Sequence, residues 1–220
     1  MLHYHTIPVT PFQQNCSIVW CDETLQAAVI DPGGELEVLL TEVKRRGLTL
    51  TQIWQTHGHI DHAGGTAELA QRLQLPIIGP HPADQVWIDG LPEQSKMFGF
   101  APADAFTPTR WLYDGDSVSV GHCTLNVRHC PGHTPGHVVF HAPEIGRAFV
   151  GDVLFAGSIG RTDLAQGDHD TLIAASSSAC GPWATPPCSS PAMGRKAPSG
   201  ANEKAIRTWP GLETALRCPI

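Results

Sequence analysis

Apolar and polar positions along this chain follow two different periods, and the switches between them mark out its elements. Cys16 to Cys21 and Ala27 to Ile30 are short apolar runs of strand type, and Asp31-Pro-Gly-Gly34 closes the second with turn residues. From Glu35 to Arg46 the pattern changes: Leu36, Leu39, Leu40 and Val43 recur at helical spacing, and Gly47 predicts the stop. Thr51 to Thr56 predicts a strand that runs straight into a histidine cluster. Ala63 to Leu73 predicts a helix, and Pro76 to Gly79 a short strand. After a loop-rich stretch, Ser117 to His129 alternates like a β-ribbon, and Val138 to His141 and Ala148 to Val150 add two strands. Strands interleaved with helices predict a layered α/β architecture, whose sites gather on loops beyond strand ends.

This pattern stops near Ala174. All 12 histidines precede residue 170, whereas residues 175–220 hold 7 prolines, no aspartate, and five basic against two acidic side chains. Residues 1–174 therefore read as one domain and 175–220 as an attached Pro/Ala/Ser-rich tail. Prolines this dense cannot donate along a helix or a central strand, so irregular structure is expected from Ala175 to about Ala201. Only Asn202 to Leu216 offers a short helix, and Pro210 interrupts it.

Composition narrows the class. With 220 residues, 41% of them hydrophobic, and a net charge of −7, the chain has enough apolar surface for a sizeable core, so wholesale disorder is not expected. No apolar run approaches the length of a membrane span. Mild acidity argues against nucleic acid as a partner. Met-Leu-His-Tyr-His at the start lacks the basic and apolar regions of a secretory signal. Seven cysteines at irregular spacing suit a reducing compartment, so the expected location is cytoplasmic. The oligomeric state is not readable from the sequence.

The chemistry lies in three short segments. His57-Gly58-His59-Ile60-Asp61-His62 places four metal-binding side chains within six residues, directly after a predicted strand. Imidazole with carboxylate suits zinc, iron or manganese, whereas calcium prefers shells made of oxygen alone. His129-Cys-Pro-Gly-His133-Thr-Pro-Gly-His137 brackets His133 with Pro-Gly pairs, a stiff way to aim one ligand; His129 and His137 read as structural or exposed. In Val150-Gly151-Asp152-Val153 apolar residues flank a lone carboxylate, which burial would penalise unless it faced a cation.

Taken in order, His57-Gly-His59-Ile-Asp61-His62, His133 and Asp152 resemble the metallo-β-lactamase fold, and the upstream Asp31-Pro-Gly-Gly34 matches it as well. Within that superfamily Cys130-Pro-Gly-His-Thr-Pro-Gly-His137 and Gly160-Arg-Thr-Asp163 resemble glyoxalase II, the hydroxyacylglutathione hydrolases, in their short bacterial form. The resemblance covers about residues 3–174. It implies an αββα sandwich, incomplete at the C-terminus, with a metal centre at one edge. His57, His59 and His133 would form site one, Asp152 would bridge two metals, and Asp61 with His62 would begin site two. Asp31 would orient a ligand imidazole from behind. Arg161 and Asp163 would form a structural polar pair, and His81, His122, His141 and His169 are read as structural.

Members of the family place a last histidine near the C-terminus, and nothing after His169 can supply it here. Cys180 and Cys188 could bind zinc as thiolates, but nothing in the sequence aims them. A frameshift and a diverged terminus would each explain the change of text after Ala174. The implied activity is hydrolysis of thioesters such as S-lactoylglutathione by metal-bound hydroxide, with Asp61 orienting the nucleophile and the missing ligand weakening turnover. The implied cofactor is zinc, with two sites in the family and the second incomplete here; iron or manganese would also fit. A small-molecule thioester is the expected partner, with no nucleic acid and no membrane. Two rivals remain: a mononuclear iron persulfide dioxygenase of the same fold, using His57, His133 and Asp152, and an inactive relative with a replaced C-terminus.

Overall fold

A computed structural model describes residues 1–155 and 158–180, and the backbone of 189–190. The first sheet has the order β1 (Leu2–Val9), β2 (Gln14–Cys21), β3 (Gln26–Ile30), β4 (Thr49–Trp54) and β5 (Ile77–Ile78). Its first three strands are antiparallel, and β3, β4 and β5 run parallel. The second sheet has the order β12 (Ser189–Ser190), β9 (Arg147–Phe149), β8 (Val138–Ala142), β7 (Cys123–His129) and β6 (Ser117–Val120). A two-strand ribbon, β10 (Leu154–Phe155) with β11 (Ser158–Ile159), follows β9.

Strands covered on both faces, such as β2 and β8, read as apolar runs, whereas β6 and β7 expose one face and alternate. Their inner faces share one core, with Val19, Ile30 and Trp54 from the first meeting Val127, Phe140 and Phe149 from the second. The rings of Trp54 and Phe140 sit 5.6 Å apart. On the outer face of the first sheet, α1 (Leu36–Arg45) and α3 (Thr66–Leu73) bury Leu36, Leu39 and Leu69 against Val29 and Ile53. On the outer face of the second, α6 (His169–Cys180) buries Leu172 and Ala179 against Val139, Val150 and Val153. The result is the expected αββα sandwich.

Several elements depart from the sequence reading, each for a physical reason. β1 was not expected, because on the first sheet's edge His3 is exposed and Tyr4, His5 and Thr6 are half-buried, so the run reads as polar. The helix expected over Ala63 to Leu73 is two helices, α2 (Ile60–Ala63) and α3, divided at Gly64-Gly65. The loop-rich stretch contains α4 (Gln85–Asp89) and α5 (Leu91–Phe98), whose Ile88 and Leu91 pack against Ile60 and Ala63. Most importantly, the expected irregular tail is corrected at two places. α6 runs through Ala174 as far as Cys180, and the backbone of Ser189–Ser190 pairs parallel with Ala148 and Phe149. Alanine is the best helix former, and Leu172, Ala175 and Ala179 form an apolar stripe that packs on the sheet. The tail's prolines begin only at Pro182. The expected helix over Asn202 to Leu216, and Cys188, lie outside the described residues.

Phe140 is fully buried and joins the two sheets through Trp54. Phe140→Ala is expected to cost roughly 3–5 kcal/mol in chemical denaturation of the full chain. A loss below about 1 kcal/mol would mean that the sheets are not held together at this contact.

Candidate metal centre

Asp31, His57, His59, Asp61, His62, His133 and Asp152 all gather at one edge of the sandwich. Asp31 follows β3, His57 and His59 follow β4, and His62 lies on α2; His133 lies between β7 and β8, and Asp152 follows β9. The two sheets are tied here by the Val138 amide, which donates to the Thr56 carbonyl at 2.9 Å.

The imidazoles converge. The His57 ring lies 4.8 Å from that of His59, 4.2 Å from His62 and 5.0 Å from His133. One ligand atom each from His57, His59 and His133 falls within 4.8 Å of the others, and the same holds for Asp31, His57 and His62. His133 Nε2 stands 2.9 Å from His59 Nδ1 and 3.3 Å from Asp152 Oδ2. His62 Nε2 stands 3.0 Å from Asp152 Oδ1 and 3.6 Å from Asp61 Oδ2. All seven side chains are buried.

Hydrogen bonds on the far side of each ring fix which nitrogen is bare. Thr56 donates its hydroxyl to Asp31 Oδ2 at 2.6 Å, so it accepts from His57 Nδ1 at 3.0 Å. His62 Nδ1 donates to the same Asp31 oxygen at 2.9 Å, and His133 Nδ1 donates to the Arg161 carbonyl at 2.7 Å. Each of these three rings therefore turns Nε2 toward the centre. Asp31 thus stands behind two imidazoles, one directly and one through Thr56.

The electrostatics follow from this crowding. Burial, reinforced by the neighbouring imidazoles, holds His57 and His59 far below the ordinary histidine range. Burial also lowers His133. His62 goes the other way: burial opposes its charge, yet Asp61 and Asp152 raise it well above the ordinary range. Burial pushes the Asp61 carboxyl up to about 6. Asp152 is held low although burial works against it, because His62 and His133 flank it. At the centre His57 Nε2, His62 Nε2 and Asp152 Oδ1 are buried without a well-formed hydrogen bond, the last two standing 3.0 Å apart, and His59 faces the centre with Nδ1, 2.9 Å from His133 Nε2. Orphaned buried atoms of this kind are costly, and neutral imidazoles with bare nitrogens beside a carboxylate are the donor set that a divalent transition metal requires. The residues fit such an ion.

The remaining candidates stand apart. Arg161 and Asp163 form an exposed bidentate pair at 2.8 Å, and what reaches the centre is the Arg161 carbonyl. His81 accepts the Ala83 amide and stacks on His129 at 4.2 Å. His122 pairs with Glu23 at 2.9 Å on the surface. His141 sits in β8, and His169 opens α6. Only the backbone of Cys180 is described.

Sequence reasoning missed the frame around the centre. His137 is buried and stacks on His57 at 4.6 Å, and its Nε2 accepts the Asp152 amide at 3.0 Å. Asp84, Trp87 and Gln94 come from the stretch read as loop, and the Trp87 ring meets the edge of His59 at 4.5 Å. Their partners lie tens of residues away in sequence, so no local spacing announces them.

The sequence model of the metallo-beta-lactamase superfamily matches residues 9–185. The chain belongs to that superfamily. Hydroxyacylglutathione hydrolase GloC of Haemophilus influenzae is 45% identical over 173 residues, which is 78% of this chain and 81% of that protein. The crystal structure of the B3 metallo-beta-lactamase BLEG-1 superposes with a TM-score of 0.79 at 33% identity, covering 87% of this chain and 92% of that one. TTHA1623, solved in a di-iron-bound form, gives a TM-score of 0.76 at 35% identity over 86% and 92% of the two chains.

Gly151 has a left-handed backbone (φ +50), and a Cβ there would fall 2.5 Å from His137 Nε2. Gly151→Ala is therefore expected to lose about 1–2 kcal/mol from the backbone alone, read by thermal or chemical denaturation. An unchanged midpoint would show that the turn before Asp152 is not under this constraint.

Proposed function

We propose that the chain is a metal-dependent thioester hydrolase of the glyoxalase II type, acting in the cytosol on glutathione thioesters of small hydroxy acids such as S-lactoylglutathione. What carries this reading is the set of buried imidazoles converging around one carboxylate, with His57 Nε2 left without a hydrogen-bond partner. It is supported by the 45% identity with a protein named hydroxyacylglutathione hydrolase.

His57, His59 and His133 would hold one ion, Asp152 would be shared, and Asp61 with His62 would begin a second site. Zinc is the ion that this donor set suits first, with iron or manganese close behind. Such an ion, when bound, lowers the pKa of water to about 7 and polarises a carbonyl oxygen. Asp61 would accept a hydrogen bond from the attacking water and hold it in line with the thioester carbon. Asp31 would keep His62 and, through Thr56, His57 turned with Nε2 toward the centre. The leaving thiolate needs little protonation, since a free thiol titrates near about 8.5, so no strong general acid is required.

Elemental analysis of the dialysed full chain should find at least one equivalent of zinc, iron or manganese, and His57→Ala should lose it. Full metal content in that variant would remove His57 from the site. Thioester turnover is expected to be weak as purified and to rise markedly with added Zn²⁺ or Mn²⁺. Full turnover without added metal would contradict the expected weakness of the second site. Oxygen uptake with glutathione persulfide, in place of thioester cleavage, would favour the dioxygenase rival.

A further inference from the structure

One carboxylate touches both ligand-bearing loops without facing an imidazole. Asp84 ends the short 3-10 turn Pro82–Asp84 and is fully buried. Its Oδ2 accepts from the Gly58 amide and from the Thr134 hydroxyl, both at 2.9 Å. Its Oδ1 accepts from the Gly136 amide at 2.6 Å. Gly58 lies between His57 and His59, and Thr134 and Gly136 follow His133. The approach at Gly136 leaves no room for a side chain: a Cβ there would fall 2.5 Å from the Asp84 amide nitrogen. The nearby Gln94 holds the first loop alone, accepting from the Ile60 amide at 3.0 Å and donating to the Gly58 carbonyl at 3.3 Å. Asp84 therefore ties together two loops whose histidines, His59 and His133, are 74 residues apart in sequence.

We propose that Asp84 is a positioning residue that fixes the spacing between the His57–His59 loop and the His133 loop, and thereby sets the affinity of the metal centre. This rests on the reading that those three imidazoles hold a metal. The physical argument is that hydrogen bonds to a carboxylate are roughly twice as strong as neutral ones, and that three of them from two loops leave little freedom in the distance between the loops. An asparagine has nearly the same shape but carries an NH₂ in place of one oxygen. With its NH₂ at the Oδ2 position it confronts the Gly58 N–H, and at the Oδ1 position it confronts the Gly136 N–H, so either orientation breaks at least one of the three bonds that set the spacing.

The test uses the full chain, with Zn²⁺ affinity read by competition with a chromophoric chelator and site geometry by the ligand-field absorption of bound Co²⁺. Asp84→Asn is expected to weaken Zn²⁺ binding roughly 10- to 100-fold and to change the Co²⁺ spectrum. Thr134→Val should fall between it and the wild type, and Thr134→Ser, which keeps the hydroxyl, should restore wild-type affinity. Val43→Ala, on the buried face of α1 in a cluster with Ile18, Ala27 and Leu48 that includes no residue of either loop, should lose stability but bind Zn²⁺ as the wild type does. If Asp84→Asn does not fold, Thr134→Val against Thr134→Ser decides. Zn²⁺ affinity of Asp84→Asn within twofold of wild type would overturn the proposal, as would a loss that Val43→Ala reproduces at an equal drop in melting temperature. A wild-type chain that binds no Zn²⁺ would overturn the metal reading and this proposal with it; binding by the wild type and by Asp84→Asn alike would overturn this proposal alone.

Discussion

Keeping imidazoles neutral inside a protein, with their bare nitrogens turned toward one point, is the constraint on which this structure depends. Burial makes protonation of His57, His59 and His133 costly, and each neighbour raises that cost for the others. Asp61 and Asp152 add negative charge in the same place, which His62 alone offsets. A cluster of this kind is poorly compensated by its own members, and a divalent cation would complete it. The fold supplies what the arrangement needs: strand ends that stop together at one edge, and a backing group behind His57, His62 and His133 to hold each tautomer.

Those backing groups come from three layers of the molecule. Asp31 hangs from the end of β3, with its carboxylate spread over the Thr56 amide, the Thr56 hydroxyl and His62. The Arg161 carbonyl comes from the segment after β11, and α6 presses on the same side, with the Asp168 amide donating to the Gly132 carbonyl at 2.8 Å. α4 and α5 bring Trp87 and Gln94 against the His57–His62 loop. The centre is thus embedded in the sandwich rather than laid on its surface, and its geometry inherits the rigidity of packed secondary structure.

Much of this was legible in the sequence wherever the signal is local. The stripe of Leu36, Leu39 and Val43 announces α1, and the apolar run at Cys16 to Cys21 announces β2. Four metal-binding side chains in six residues announce the chemistry. The architecture was legible through the order of the three segments, which resembles the superfamily to which the chain belongs. Long-range relations were not. His137 reads as a structural histidine, and nothing in its neighbours says that its Nε2 holds the amide of Asp152, fifteen residues on. Asp84 reads as a loop residue because its three donors are 26 to 52 residues away. The helix across Ala174 was hidden because Ala and Ser score as tail composition, although they suit a helix packed closely on a sheet. Composition reports how a segment differs from its neighbours, whereas packing decides what it forms.

The central claim is that the imidazole cluster at the sandwich edge is a metal centre. An anomalous difference map, recorded at the zinc absorption edge from crystals of the full chain grown with Zn²⁺, tests it most directly. The account predicts a peak bonded to His57, His59 and His133, with Asp152 on its far side. Zinc bound only elsewhere, for instance at the surface pair His81 and His129, with the three imidazoles unliganded, would contradict it.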